Sequence, residues 1–533
     1  MRESDGMRGR FIGRPSRRAV IGGAAAAAAG LYAGPALLGR PQARAAGPTA
    51  GGHLTFGISA GATTDSFDPG KVGNAFQSVL QYTVGSMLTE IDANGAVQPK
   101  LASGWESSKD ATRWTFMLRR DATFHDGRKV VAEDVVASLN HHRGEKSESS
   151  AKPIMAAVEE IRADGTHAVV VQLSAPDADF PFKVSSFNFP IYPAKTDGTM
   201  DFASRNGCGP YRVTAFEAGV QAEFERHPDY FARGPRAHLD SATMLCLPDT
   251  AARQNALMSG QVDAIDRVDL ATFDLLAKAP GVRVEEVANK THYTFPMRTD
   301  AAPFTDPDVR LALKHAVDRE ALLATILRGH GALGNDTPIN PTYRYYSDAV
   351  PQRAYDPERA RFHLKRAGAE GLKLTLHASD AAFTRAVDAS VLFAEQAKAA
   401  GLDVTVRRAP QDGYWNDVWM KEAWSACYWY GTPTEDEIFT TAYSAGADWN
   451  DTYWDNARFN ELLVQARGEL DEPLRAEMYH EMQTILNQDG GLIAPVFAND
   501  VFAVRDKVRY GELANNFEVD GRLFFERWWL ETA

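Results

Sequence analysis

The densest group of residues with binding chemistry lies at 412–434. It runs Asp412-Gly413-Tyr414-Trp415-Asn416-Asp417-Val418-Trp419, then Trp424, then Cys427-Tyr428-Trp429-Tyr430-Gly431-Thr432-Pro433-Thr434. Four tryptophans fall within fifteen positions, beside glycines and a proline that suggest loops. Flat rings presented on loops can wall a water-excluding pocket for an organic solute, and the same rings can pack a core. Elsewhere, His125 and Asp126 have the look of a metal or catalytic pair. They stand in a His125-Asp126-Gly127 turn ahead of a helix whose first turn carries Glu133 and Asp134, well placed for its dipole. The thirteen histidines are scattered. The closest pair, His141-His142, falls at an expected helix end where sequence neighbours point to different faces. Cys-x-x-Cys, His-Glu-x-x-His and phosphate-loop patterns are absent. No nucleophile, base and orienter announce themselves, so no catalytic residue, metal ligand or cofactor is expected, and an exported enzyme is the remote alternative.

These residues must be held by a mixed α/β scaffold. Alternating segments at 54–58, 112–119 and 167–173 predict strands, with strands returning at 501–508 and 522–528. Residues 76–90 predict a helix. Val309, Leu311, Leu313, Val317, Leu322 and Leu323 stand at helical spacing within 306–329. Asp356-Pro357-Glu358 opens another helix that stops at Ala367-Gly368, with proline in the first turn and glycine at the end. Residues 459–487 form one long or two linked helices, broken near Asp471-Glu472-Pro473. The mixture argues for two α/β lobes rather than a bundle or a sandwich.

The first 46 residues read as a leader. Arg17 and Arg18 lie in Ser16-Arg17-Arg18-Ala19-Val20-Ile21, after a basic stretch and before an uncharged Gly/Ala/Leu run, and Ala43-Arg44-Ala45-Ala46 matches a cleavage site. A twin-arginine signal cut near Ala45 or Ala46 is expected, giving a periplasmic protein. No cysteine near the cut offers a lipid anchor. Of 57 basic and 70 acidic residues the leader holds eight arginines and two acids, which leaves the remainder near −19. That charge disfavours nucleic acid and anionic membranes as partners. Three cysteines are too few for a disulfide scaffold; a single bridge would pair Cys208 with Cys246, and free thiols are the alternative.

Several segments in order resemble the extracytoplasmic solute-binding proteins of the peptide/nickel class (family 5) that serve ABC importers. They include Asp65-Ser66-Phe67-Asp68-Pro69, Phe124-His125-Asp126-Gly127, Gly207-Cys208-Gly209-Pro210-Tyr211, Arg226-His227-Pro228-Asp229-Tyr230, Leu257-Met258-Ser259-Gly260-Gln261-Val262-Asp263, Ala316-Val317-Asp318-Arg319 and Tyr355-Asp356-Pro357-Glu358. The resemblance implies a class II periplasmic binding protein fold: two lobes, the first enlarged by an inserted domain, with a ligand enclosed between them. Domain I would comprise 47–95, 205–300 and 505–533, domain II 96–204, and domain III 301–504. It further implies a monomer that captures a peptide or amino-acid-derived solute and meets ABC permease and ATPase subunits. An opine-like or other anionic compound, or a metal chelate, is the alternative ligand.

The resemblance also selects site residues. Where peptide-binding members carry an aspartate for the peptide amine, this chain has Gly431, so the amine partner is absent or supplied nearby by Glu435, Asp436 or Glu437, three acids that otherwise read as a solvated helix start. Arg298 stands close to the expected hinge where the family usually has asparagine. It could clamp a carboxylate or phosphate, or form a structural ion pair. Asn74 follows the Asp-Pro motif in a loop that touches ligand in relatives. Tyr414, Trp415, Trp419, Trp429 and Tyr430 complete the expected lining as apolar walls, with Gly431 and Thr432 as its polar edge.

Overall fold

A computed structural model describes residues 47–531. The expected twin-arginine signal and its cleavage site lie outside the described residues. The chain builds two lobes, each around its own sheet, and an insert with a third.

The first lobe is organised by a seven-stranded sheet in the spatial order Val282–Val287, Asp500–Arg505, Ala264–Ile265, His53–Ile58, Ser241–Cys246, Gln221–Arg226 and Tyr211–Glu217. His53–Ile58 lies parallel to both neighbours, and the other ladders are antiparallel. Phe56 on this central strand stacks on Phe524 with ring centroids 4.1 Å apart, one reason the C-terminal segment returns here. The insert is a four-stranded antiparallel sheet ordered Ala102–Ser107, Arg113–Leu118, Ala168–Leu173 and Val158–Ala163, with helix Ala132–Asn140 over one face. Trp114, Phe116 and Leu118 alternate into its core, the period-two pattern visible in the sequence.

The second lobe carries an antiparallel sheet ordered Gly331–Leu333, Val496–Ala498, His292–Thr294 and Cys427–Trp429, and a parallel pair, Lys373–Ala378 with Asp403–Arg408. Four of its helices begin at aspartates. Asp306, Asp318, Asp356 and Asp471 each accept a hydrogen bond from a first-turn backbone N–H, which satisfies a donor the helix cannot.

The chain passes between the two main sheets twice, at 288–291 and at Asn499. The expected limits of 300 and 505 therefore shift: strand His292–Thr294 already pairs in the second lobe, and Asp500–Arg505 already pairs in the first. The helix expected to reach residue 90 stops at Val84, because Gly85 packs where a Cβ would sit 2.4 Å from Pro190. Residues 459–487 fold as two helices, Ala457–Gly468 and Glu472–Asp489. The strand expected at 522–528 is instead a turn followed by helix Phe524–Arg527, since Leu523, Phe524 and Phe525 are all buried and leave no alternation. All three cysteines are free: Cys208 is sealed in the insert's core with its thiol on the Ile191 carbonyl, while Cys246 ends a strand of the first sheet.

Away from these crossings the insert also grips the second lobe. Arg475 donates two hydrogen bonds to Asp179, at 2.8 and 2.7 Å, with both side chains almost fully buried. The Ala178 N–H donates to the Arg467 carbonyl at 2.7 Å.

Candidate functional site

Beside the two crossings lies a cavity of about 970 Å³, walled by both lobes. A second, of about 390 Å³, shares Arg267, Asn289, Thr291, Tyr430 and Glu518 with it, so the two adjoin at the lobe boundary. Asn289 and Thr291 come from the crossing segment itself. Any change in the angle between lobes must alter this space.

Three expected residues line it. Asn74 caps helix Ala75–Val84 through its side-chain oxygen and donates to Asp65 at 2.6 Å, fixing its loop on the wall of the smaller cavity. Tyr430 lines both cavities and is half exposed. Gly431 lines the smaller one, and a Cβ there would stand 2.1 Å from the Lys290 Cβ. Only glycine lets the 430–433 segment lie against the crossing. Lys290 then fastens it by donating to the carbonyls of Thr432 and Pro433 at 3.2 and 3.1 Å; burial pulls its pKa down to about 8.

The remaining expected residues line neither cavity. Thr432 receives a contact from the Tyr343 hydroxyl and donates its own to the Thr434 carbonyl. Tyr414 is core, its hydroxyl on the Ala426 carbonyl at 2.7 Å. Trp419 and Trp429 both donate their indole N–H to Asp451, at 3.1 and 3.3 Å, and burial raises that carboxyl to about 6. Trp415 joins Trp419 to Tyr428 through edge-on contacts, and Tyr428 in turn meets Tyr430. The aromatic segment is thus a chain of rings that reaches the cavity only at Tyr428 and Tyr430.

Two expected ligand partners are otherwise engaged. Glu435 is buried and accepts the Tyr345 N–H at 2.6 Å; it stands in the first turn of helix Glu435–Ala442 and lines neither cavity. Arg298 chelates Asp300 at 3.1 and 2.8 Å, donates to the carbonyls of Met420 and Lys421, and lies over the Tyr453 ring. Of its two open roles, it fills the structural one. His125 and Asp126 occupy a turn closed by Gly127, with the His125 ring on the Gly209 carbonyl.

The charges in the cavity come instead from residues the sequence did not single out. Arg267 holds Glu518 at 2.8 Å, and Arg522 reaches the other oxygen of Glu518 at 3.3 Å. Against the penalty of burial, these two guanidinium groups keep Glu518 ionised. Asp500 accepts the Val519 N–H at 2.6 Å. Burial, with Glu518 and Asp266 nearby, raises its carboxyl to about 7. Residues Val519, Asp520, Gly521 and Arg522 all have positive φ, a left-handed turn costly for a β-branched valine. Asp500 and Asp520 hold this turn, Asp520 by accepting from the Ala514 N–H and the Trp528 indole. No composition or periodicity flags such a turn.

Ser59, also on the cavity wall, stands in a Gly-x-Ser-x-Gly pattern, Gly57 to Gly61. Its hydroxyl donates to Asp266 at 2.6 Å, with no histidine hydrogen-bonded to it among the described residues, and the next α-helix begins only at Ala75, after a loop. The pattern is therefore not a nucleophile elbow.

Comparisons with known proteins agree with this architecture. Residues 96–451 match the family described as "Bacterial extracellular solute-binding proteins, family 5 Middle". The chain is 25% identical over 492 residues to di/tripeptide-binding protein 1 of Pseudomonas aeruginosa, covering 85% of this chain and 90% of the relative. It is 24% identical to heme-binding protein A of Haemophilus influenzae, covering 79% and 83%. The solved structure of the periplasmic binding protein AgaA from A. tumefaciens R10, in complex with agropinic acid, superposes with a TM-score of 0.72 at 24% identity over 90% of this chain and 99% of that one. With two lobes, an insert in the first and a shared cavity at the crossings, the chain belongs to family 5 of the bacterial extracellular solute-binding proteins.

Proposed function

We propose that this chain is the periplasmic receptor of an ABC importer and captures a peptide or amino-acid-derived small solute at the lobe boundary. The observation that carries this is the cavity built jointly by the two lobes and the segments crossing between them. A ligand there touches both lobes at once, so it favours the arrangement in which both contacts exist and presents that arrangement to a permease. The names of the relatives, a di/tripeptide binder and an agropinic acid complex, support solutes of amino-acid origin. In this reading the leader is a twin-arginine signal cut near Ala45 or Ala46, and the exported protein works as a monomer alongside permease and ATPase subunits.

A non-peptide anionic solute, opine-like or a chelate, is the second reading. Gly431 favours it, since no carboxylate stands there to receive a peptide amine. The test is a thermal-shift screen of residues 47–533 against di- and tripeptides, amino-acid conjugates including opines, sugars and a nickel–histidine chelate, with calorimetry on every hit. Stabilisation by a peptide or conjugate without turnover is expected. Stabilisation by sugars alone, or by nothing in the panel, overturns the proposal.

A further inference from the structure

The cavity contains two charged groups whose hydrogen-bonding capacity is half used. Asp500 is 8% exposed and lines the larger cavity. Its Oδ2 accepts from Val519, while its Oδ1 has no hydrogen bond or ion pair among the described residues. Arg267 lines both cavities. Its Nε and Nη2 converge on one oxygen of Glu518, and its Nη1 has no partner among the described residues. Both residues line the cavity and the Arg267 side chain is 42% exposed, so solvent can serve the open positions of the empty protein and the charged groups of a solute can replace it.

The fixed charges around them narrow what such a solute is. Glu518 faces Asp500 from the C-terminal turn, and Asp266 and Arg267 face it from the loop after Ala264–Ile265. From the neighbouring strand and the second lobe come Glu286 and His330, already paired with each other at 2.9 Å, Glu286 also holding Asn499. Arg253 is occupied by the carbonyls of Leu247, Asp266 and Arg267, and Arg522 by Ser78 and Glu518. Arg385 and Arg328 also line this cavity, Arg385 held by Asp388 and the Thr325 carbonyl and Arg328 without a partner among the described residues, but the cation that acts on Asp500 is Arg267. A solute bringing one positive and one negative group leaves the balance unchanged while filling both open positions.

We propose that Asp500 is the acceptor for a ligand ammonium group and that the free edge of Arg267 takes a carboxylate of the same molecule, so the solute is zwitterionic. This rests on the reading of the cavity as the solute site. The amine contact is thereby moved from the 430–433 segment of the second lobe, where Gly431 carries no side chain, to the first lobe beside the crossing at Asn499. An ammonium at Oδ1 favours the ionised form of Asp500. Since that carboxyl sits at about 7 in the empty protein, binding below pH 7 must release a proton.

The experiment takes the tightest binder among the di- and tripeptides and amino-acid conjugates of the screen, together with its N-acetylated derivative. Calorimetry at pH 6.5 in two buffers of different ionisation enthalpy gives the proton count. The expected results are a loss of about 30-fold or more on N-acetylation and release of about 0.7 proton per bound ligand. The ligand's own α-amine, with an ordinary pKa near 8, is already charged at that pH and takes up little. Asp500→Asn, with its fold checked by circular dichroism, should bind free and acetylated forms alike and release no proton. Equal affinity for both forms in the unaltered protein, no proton release, or a best binder with no ammonium overturns the assignment while leaving solute capture intact. A panel with no binder overturns both.

Discussion

Two charged clusters meet at the boundary between the lobes, and they are finished to different degrees. Where the insert meets the second lobe, every nitrogen of Arg475 has a partner: Nη1 and Nη2 donate to Asp179, and Nε to the Ala466 carbonyl at 2.8 Å. Its guanidinium also lies 5.4 and 5.5 Å from the ring centres of Tyr345 and Tyr479. Near the crossings, Arg267 and Asp500 each keep one side open to the cavity. A buried ion pair is tolerable in a fold when every donor and acceptor is used. The first cluster gives each guanidinium nitrogen a protein partner, so it reads as architecture, whereas the second leaves Arg267 Nη1 and Asp500 Oδ1 open on a cavity wall. Burial differs along with completeness: Arg475 and Asp179 are 2% and 4% exposed, Arg267 and Glu518 42% and 22%, so the joint is sealed and the site is open to a solute.

Removing one partner from each cluster turns the contrast into numbers. Asp179→Ala leaves the Arg475 guanidinium buried without its counterion and should lower stability by about 3–5 kcal/mol in urea unfolding. Gly431→Ala comes next. Its Cβ would enter the space of the Lys290 Cβ, so the 430–433 segment must lift, with an expected cost of about 1–3 kcal/mol and weaker binding of whatever Tyr430 touches. Asp500→Asn should behave in the opposite sense to Asp179→Ala. The folded carboxyl is raised to about 7 from an ordinary 3.8, so the stability it contributes is fully present below about pH 4 and lost as pH rises through 7. The unliganded variant should therefore gain on the unaltered protein by an amount that grows with pH, about 1–2 kcal/mol at pH 5 and more by pH 7, where it levels off. A loss at pH 8 as large as that of Asp179→Ala would erase the distinction between the clusters.

The sequence carried the fold further than the site. Alternation at 54–58 and 113–118, and aspartates before helices at Asp306, Asp356 and Asp471, are local rules that the packing obeys. Strand pairing at the crossings is not local: nothing in residues 292–294 says that they will pair with Cys427–Trp429. The site suffers most from this. The aromatic run at 414–430 was legible as a cluster, but which rings face a cavity depends on the path of the Tyr428 to Gly431 backbone against Lys290. Arg267, Asp500 and Glu518 lie 251 positions apart at the extremes, and they meet because strands Ala264–Ile265 and Asp500–Arg505 are neighbours. Glu435 and Arg298 are chemically apt residues in the right neighbourhood. Each has local partners, Tyr345 and Asp300, that a sequence does not reveal.

Those two residues give the smallest expected effects. Glu435→Gln keeps an oxygen for the Tyr345 N–H and removes a carboxylate whose burial already raises its pKa, so stability should change by less than about 1 kcal/mol. Ligand affinity should be unchanged, and a tenfold loss of affinity for an amine-bearing ligand would restore Glu435 as its partner. Arg298→Ala sets the finest limit. Its ion pair with Asp300 is partly solvated, with the Asp300 side chain 43% exposed, so the pair is worth less than about 1 kcal/mol. The guanidinium donates to the carbonyls of Met420 and Lys421 and covers Tyr453, contacts that steady the second lobe without reaching the cavity. Calorimetry of the variant with any ligand from the screen should therefore match the unaltered protein within twofold, whereas Arg267→Ala should lose tenfold or more. If the two arginines exchanged those outcomes, the carboxylate would sit on the second lobe and the open edge of Arg267 would need another explanation.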